Sequence, residues 1–265
     1  MAAQSKGDQV LLTIVRTQAV ESIARNEAAR ESERLRTLIL DSITHELRTP
    51  LTSIKGAASA LLAGNMEPEE SHELLTIIDE ESDRLNRLVS EAVEMAQLDA
   101  QQVQMHFAPV DIRGIIDAAR EAYSWAEEQH ELRIDVPDNL HVRADGSMME
   151  KVVSNLLENA AKYSKPGSPI TISAEETNDK VLLSIADQGA GIEPSEQALI
   201  FERFYRGRSQ ALGTSGTGMG LAISRAIVDA HGGSIGVTSQ PGRGSVFTLT
   251  MPKAELSDRA KMPTA

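Results

Sequence analysis

The sequence predicts a two-part chain, with long helices in roughly the first hundred residues and an α/β sandwich of the α+β type in the rest. Between Gly7 and Gly64 there is one proline and one further glycine, and apolar residues there follow a coiled-coil spacing. After about Phe107, short β-prone runs alternate with helical patterns. A chain of 265 residues has the length for one large or two modest domains. We therefore expect a multidomain fold that joins an all-α region to an α+β region.

Apolar residues in the helical part are spaced alternately by four and three positions. Gly64 predicts a helix stop and Pro68 a restart. Two narrow stripes cannot enclose a core, so we expect two hairpins to form a four-helix bundle, which makes the chain a homodimer. The alternative is that the stripes pack against the second half of the same chain. The two stripes are Leu40, Thr44, Leu47, Leu51, Ile54, Ala58 and Leu61, then Leu74, Ile78, Glu81, Leu85, Leu88, Ala92 and Met95.

The second part predicts a mixed sheet with helices layered on one face. Short turns at Asn178-Asp179 and Pro241-Gly242 favour largely antiparallel pairing. The predicted strands are residues 131–136, 140–143, 170–174, 181–185, 234–239 and 245–251. The predicted helices are residues 112–129, 147–163, 195–204 and 219–230.

Bulk composition excludes several classes of function. The formal net charge of −13 argues against a nucleic-acid-binding protein, because a phosphate backbone requires a basic face. The absence of cysteine rules out disulfides and thiolate metal sites, whereas amide or carboxylate oxygens for Mg²⁺ are present. No run approaches the roughly 18 to 20 apolar residues that span a bilayer, and the first residues lack a signal-peptide pattern. We expect a cytoplasmic polypeptide without membrane contact, and the location of a longer parent protein stays open.

The segment SITHELRTPL, residues 42–51, contains one histidine with an unusual setting. His45 lies about 160° around the helix from the stripe residue Leu47, so it points away from the bundle core. The neighbouring Glu46 can hold the imidazole in the tautomer whose free nitrogen is nucleophilic. Pro50 removes one backbone hydrogen bond beside this pair. Taken alone, an exposed histidine on a helix is most often an ordinary surface residue.

Three further segments have features of a nucleotide site. Asn155 and Asn159 are four residues apart on one helical face, where an amide oxygen can coordinate Mg²⁺ bound to phosphates, and Lys162 follows one turn later. Asp187 follows a β-prone run and can accept a hydrogen bond from the amine of adenine. Residues 213–221, GTSGTGMGL, open a helix whose N-terminal N–H groups can bind phosphate. Each segment alone is explained by a turn, a loop or a polar helix face; their occurrence in this order is what makes them specific.

Together these segments resemble the sensor histidine kinases of bacterial two-component systems, over roughly residues 34–252. The matching motifs are the H box at 45–51, the N box at 155–163, the G1 box at 187–192, the F box at 201–206 and the G2 box at 216–221. A Gly/Ser-rich stretch at 207–215 is typical of the lid in such proteins. The resemblance implies a helical dimerisation and phosphoacceptor domain followed by a Bergerat-type ATP sandwich.

By motif position, the resemblance implies that His45 is the phosphoacceptor and Glu46 its acid–base partner. Thr49, four residues after the histidine, is associated in this family with dephosphorylation of the response regulator. Arg206 is expected to act at the γ-phosphate of ATP. Four segments follow: a helical input linker at 1–34, the phosphoacceptor domain at 35–108, the ATP-binding domain at 109–253 and a flexible tail at 254–265.

The resemblance also implies that ATP and Mg²⁺ are the cofactors, with Asn159 as the metal ligand and Asp187 as the residue that reads the adenine amine. A homodimer and the receiver domain of a response regulator are the implied partners. The alternatives are a scaffold that binds ATP without catalysis, a gyrase-like ATPase, and a serine kinase that shares the ATP sandwich. The expected nucleotide-binding residues are Asn155, Asn159, Lys162, Tyr163, Asp187, Gly189, Gly191, Ile192, Phe204, Gly216, Thr217, Gly218, Met219, Gly220 and Leu221.

Overall fold

The computed structural model describes residues 44, 46–64, 66–100, 102–122, 129–207 and 216–254. Four predicted features lie outside these residues: the N-terminal linker helix, the phosphoacceptor candidate His45, most of the predicted lid (208–215) and nearly all of the C-terminal tail (255–265).

Two helices form a hairpin in the first part of the chain. Helix α1 covers residues 46–63 and helix α2 covers Pro68–Asp99. The chain reverses at Gly64, whose φ of +72° favours glycine, and Glu70 caps α2 by accepting the Glu67 backbone N–H at 3.3 Å. The predicted stop and restart are therefore confirmed. Within the described residues, no helix combines the length and apolar character needed to cross a membrane.

The described residues of the second part form two sheets and three α-helices. Strands β1 (Ala108–Asp111) and β3 (His141–Ala144) form an antiparallel pair. The larger sheet has the order β2-β4-β5-β7-β6, with only the β2–β4 pair parallel. Its strands are β2 (Leu132–Asp135), β4 (Ile170–Glu176), β5 (Lys180–Ala186), β6 (Ser234–Gln240) and β7 (Gly244–Pro252). The helices are α3 (Ile112–Ala122), α4 (Gly146–Tyr163) and α5 (Gly220–Ala230).

Alternate residues of the central strands are buried against the helices. Ile172 of β4, Leu183 of β5 and Leu249 of β7 belong to the same apolar cluster as Leu156 of α4 and Ile227 of α5. The residues between them are less buried, which is the pattern of a sheet with helices on one face. The predicted mixed sheet with one helical layer is confirmed.

The predicted helix at 195–204 is wrong. The segment consists of turns with a short 3₁₀ helix at Leu199–Phe201. Its backbone bonds mostly join residues three apart, such as the Leu199 N–H to the Glu196 carbonyl, and Phe204 has a φ of +59°, which no α-helix accommodates. The apolar spacing in this segment serves contacts on two sides instead of one helical face.

The hairpin packs directly on the sandwich. Helix α2 contacts α5, and ion pairs join Glu94 to Lys151 of α4 and Asp99 to Arg203. The Phe204 side chain lies in an apolar groove of the hairpin that includes Leu47, Leu88, Val89, Ala92, Val93 and Ala96. These contacts bring the middle of α2 to the edge of the sandwich. They also correspond in part to the alternative in which the stripe packs within one chain.

Leu183→Ala should destabilise the sandwich by about 2–5 kcal/mol, because it leaves a cavity at a fully buried position of the central strand. Urea denaturation followed by far-UV circular dichroism measures this loss in the free energy of unfolding. Leu199→Ala is the matched control, since Leu199 is 43% exposed and its truncation should cost far less. Equal losses for the two variants would contradict the described core.

Candidate nucleotide site

One cavity gathers most of the predicted site residues. It lies among α2, α4, the loop after β5, the residues around Tyr205 and the N-terminus of α5. The predicted residues that line it are Asn155, Asn159, Lys162, Tyr163, Asp187, Gly191, Ile192, Arg206, Gly216, Thr217, Gly218, Gly220 and Leu221. Further lining residues that the motifs did not single out are Arg84, Arg87, Glu91, Glu158, Ala190, Ile200, Tyr205, Gly207, Ser245 and Phe247.

Asp187 lines the cavity and comes directly after β5. Its Oδ1 accepts backbone N–H groups from Gly189 at 2.8 Å and Ser245 at 3.2 Å. Burial raises the pKa of Asp187, and the two backbone donors oppose that rise. No described residue hydrogen-bonds its second oxygen, Oδ2, which is therefore able to accept a hydrogen bond from a ligand amine.

Glycines beside Asp187 allow segments of backbone to pass very close to one another. A Cβ on Gly189 would lie 2.6 Å from the carbonyl oxygen of Tyr163, and one on Gly191 would overlap the backbone of Gln240. Gly191 also has a φ of +73°. Gly189 itself does not line the cavity. Both glycines are needed for the close packing of backbone segments beside the cavity.

The glycines before α5 open space beside α4. A Cβ on Gly220 would overlap the amide oxygen of Asn155, and one on Gly216 would lie 2.7 Å from the Lys162 Nζ. The Asn155 amide nitrogen donates to the Ser224 hydroxyl at 2.8 Å, which fixes this side chain between the two helices. The N-terminus of α5 therefore faces the cavity without side chains that would fill it.

Positive charge is concentrated near Lys162. Burial lowers the pKa of its ammonium group most strongly, and Glu158 opposes this shift. The cations Arg206, Arg87 and Arg84 each lower the pKa further. This part of the cavity therefore favours a ligand with several negative charges.

Helix α2 supplies three lining residues that the sequence motifs missed. Arg84, Arg87 and Glu91 lie on the side of α2 that faces the cavity, and burial raises the pKa of Glu91 while the Thr217 side chain opposes that rise. They fall between the apolar stripe positions of α2, where charged residues are ordinarily solvated. Nothing in the local sequence indicates that this helix meets the sandwich.

Several predicted residues lie elsewhere. Phe204 lies in the hairpin groove and does not line the cavity. Met219 is buried in the apolar core and does not line the cavity either. Thr49 is exposed on α1 and does not line the cavity. Glu46 is also outside the lining, but its Oε2 accepts a hydrogen bond at 3.2 Å from Arg84, which does line the cavity.

Sequence comparisons match both parts of the chain to known families. Residues 35–101 match the His Kinase A (phospho-acceptor) domain, and residues 144–255 match the histidine kinase-, DNA gyrase B- and HSP90-like ATPase. The mycobacterial sensor histidine kinase MprB is 32% identical, and the alignment covers all of its solved structure and 57% of this chain with a TM-score of 0.51. The chain belongs to the sensor histidine kinase family.

Two further relatives extend this likeness over most of the chain. The sensor protein SrrB of Staphylococcus aureus is 35% identical over 220 residues, which are 81% of this chain. The chain spans 37% of the length of SrrB. The structure of full-length ShkA in complex with AMPPNP is 30% identical, with a TM-score of 0.61 over 84% of this chain and 46% of that one.

The residues of this histidine kinase fit ATP and a magnesium ion. The glycine cradle before α5 and the cations near Lys162 suit a polyphosphate, and the open Oδ2 of Asp187 suits an adenine amine. The amide of Asn159 lines the cavity without a hydrogen bond to any described residue, so its oxygen suits a hard divalent cation.

Gly220→Ala should weaken ATP binding by about tenfold or more, because the new methyl group displaces the Asn155 amide from the cavity wall. Isothermal titration calorimetry of the full chain measures the dissociation constant. Gly114→Ala is the control, since a Cβ there meets no atom within 4 Å and should leave the affinity unchanged. ATP affinity that is equal in the two variants would contradict the described cradle.

As the pH rises, ATP affinity should fall because Lys162 loses its positive charge. This fall should begin at a lower pH than for an ordinary lysine, because burial lowers the pKa of Lys162. Raising the pH through that lowered pKa removes the positive charge that attracts phosphate. Lys162→Arg keeps its charge at high pH, so its affinity should decline less steeply. Parallel pH curves for the two proteins would show that Lys162 does not titrate in this range.

Proposed function

We propose that this chain transfers the γ-phosphate of ATP to its own His45 and then to an aspartate of a response regulator. The observation that carries the proposal is the double role of Arg84 of the hairpin: it lines the cavity of the sandwich and donates a hydrogen bond to Glu46, the residue that follows His45. The phosphoacceptor segment is thus tied to the cavity that suits ATP. Family membership and the AMPPNP-bound relative ShkA support the same assignment.

The residues of the site divide the work of phosphoryl transfer. Asp187 orients the adenine, and Asn155 and Asn159 lie on the helix that faces the phosphates. Lys162 and Arg206 supply positive charge where negative charge is redistributed in the transition state. Asn159 would hold Mg²⁺, which when bound neutralises charge on the phosphate oxygens.

The histidine and its neighbours handle the proton and the phosphoryl group. A nitrogen of the His45 imidazole forms a bond to the γ-phosphorus as the bond to the ADP oxygen breaks. Glu46 accepts the proton that leaves the other ring nitrogen and holds the ring in its nucleophilic tautomer. Thr49, which is exposed on the same helix, is assigned to a second activity, the dephosphorylation of the response regulator.

The working unit in this proposal is a homodimer. Leu51, Leu75, Val89 and Val93 are exposed along the hairpin of the single chain, and Leu51 is 54% exposed although it occupies a stripe position. A second hairpin would cover these exposed apolar side chains in a four-helix bundle. We assign residues 35–108 to this bundle and 109–253 to ATP binding.

His45→Gln should abolish incorporation of ³²P from γ-labelled ATP while leaving ATP affinity nearly unchanged, because the variant loses the nucleophile and keeps the cavity. Labelling is measured on denaturing gels without acid fixation, which preserves phosphohistidine. His72→Gln is the matched control, since His72 is exposed on α2 and should label normally.

Asn159→Asp should also lose labelling, in this case through the metal and nucleotide site. Persistent labelling of the His45→Gln protein would overturn the assignment of the phosphoacceptor. Release of free phosphate without any labelled protein would favour an ATPase instead.

A further inference from the structure

Arg84 contacts both the hairpin and the cavity. Its Nη2 donates to Glu46 Oε2 at 3.2 Å, and its Nη1 lies 3.7 Å from Glu81 Oε2. Its Nε is buried and donates to no described residue. The guanidinium group therefore has a donor to spare on a side chain that lines the cavity.

Arg84 lines the same cavity as Lys162 and acts on its charge. Both Arg84 and Arg87 lower the pKa of Lys162, whose Nζ lies beside Gly216. Burial raises the pKa of Asp187 and two backbone donors lower it, and neither arginine is among these causes. The two arginines of α2 therefore face the part of the cavity that suits phosphates.

A purely structural role does not account for this arrangement. The side chains of Arg84 and Glu46 are 19% and 18% exposed, so their pair is largely shielded from solvent. Yet the Nε of Arg84 is left without an acceptor, which costs free energy in a buried setting. If the side chain turns, this buried N–H group reaches an anionic ligand in the cavity that Arg84 lines, and guanidinium is the cation best suited to phosphate oxygens.

We propose that Arg84 binds the terminal phosphate of the nucleoside triphosphate, and that this phosphate and Glu46 compete for its guanidinium group. The inference rests on the proposed function of the same site. When Arg84 turns toward the phosphate, it releases Glu46. The free Glu46 carboxylate then accepts the proton from His45. A diphosphate lacks the terminal group, so the pair of Arg84 and Glu46 stays intact when ADP is bound.

The first test compares ATP and ADP binding by the full chain. Arg84→Met should weaken ATP about tenfold and ADP less than about twofold, because only ATP has the phosphate that this residue contacts. Arg133→Met, which removes an exposed arginine paired with Glu131, should change neither affinity. An equal loss for both nucleotides, or no loss for ATP, would overturn the inference, since a residue that only stabilises the fold does not distinguish them.

A second comparison tests the competition itself. Glu46→Gln should tighten ATP binding by roughly threefold, because the carboxylate no longer holds the guanidinium group. In the Arg84→Met background the same substitution should have no effect on ATP affinity. An equal gain in both backgrounds would show a general charge effect and would sink the competition.

The two proposals fail in different ways. If the unaltered chain binds no ATP, both the proposed function and this inference are wrong. If the unaltered chain binds ATP and labels His45 but Arg84→Met keeps its preference for ATP over ADP, only the role of Arg84 is wrong.

Discussion

The constraint on which this structure depends is the crowding of positive charge where the hairpin meets the sandwich. Lys162 and Arg206 come from the sandwich, and Arg84 and Arg87 come from α2. Like charges in a partly buried space repel strongly, and burial already disfavours the charged form of Lys162. The acidic side chains nearby offset part of this repulsion. The negative charge of a nucleoside triphosphate would offset the rest.

The backbone makes room for such a ligand. Gly191 and Gly218 have positive φ values, and a Cβ at either would collide with neighbouring backbone. Gly218 lies against Phe204, whose side chain packs in the hairpin groove. The glycine segment before α5, the F-box segment and the hairpin are therefore in one continuous contact.

Local patterns predicted the sandwich side of the site and missed the hairpin side. Asn155 and Asn159 were recognisable because their spacing puts both on one face of an amphipathic helix, and Asp187 because it follows a β-prone run. Arg84 was not recognisable, because its role depends on α2 packing beside cavity residues of the sandwich, the first of which, Asn155, comes about seventy residues later in the sequence. Phe204 was assigned to the nucleotide on its motif alone, whereas its positive φ aims it at the hairpin.

The central claim is that the nucleotide lies between Asp187 and the cations that the two halves share. A crystal structure of the full chain with Mg²⁺ and a non-hydrolysable ATP analogue tests it most directly. We expect adenine at Asp187 Oδ2, and terminal phosphate oxygens within hydrogen-bonding distance of Lys162 and Arg84. Phosphates directed away from α2, or adenine bound at another place in the cavity, would contradict it.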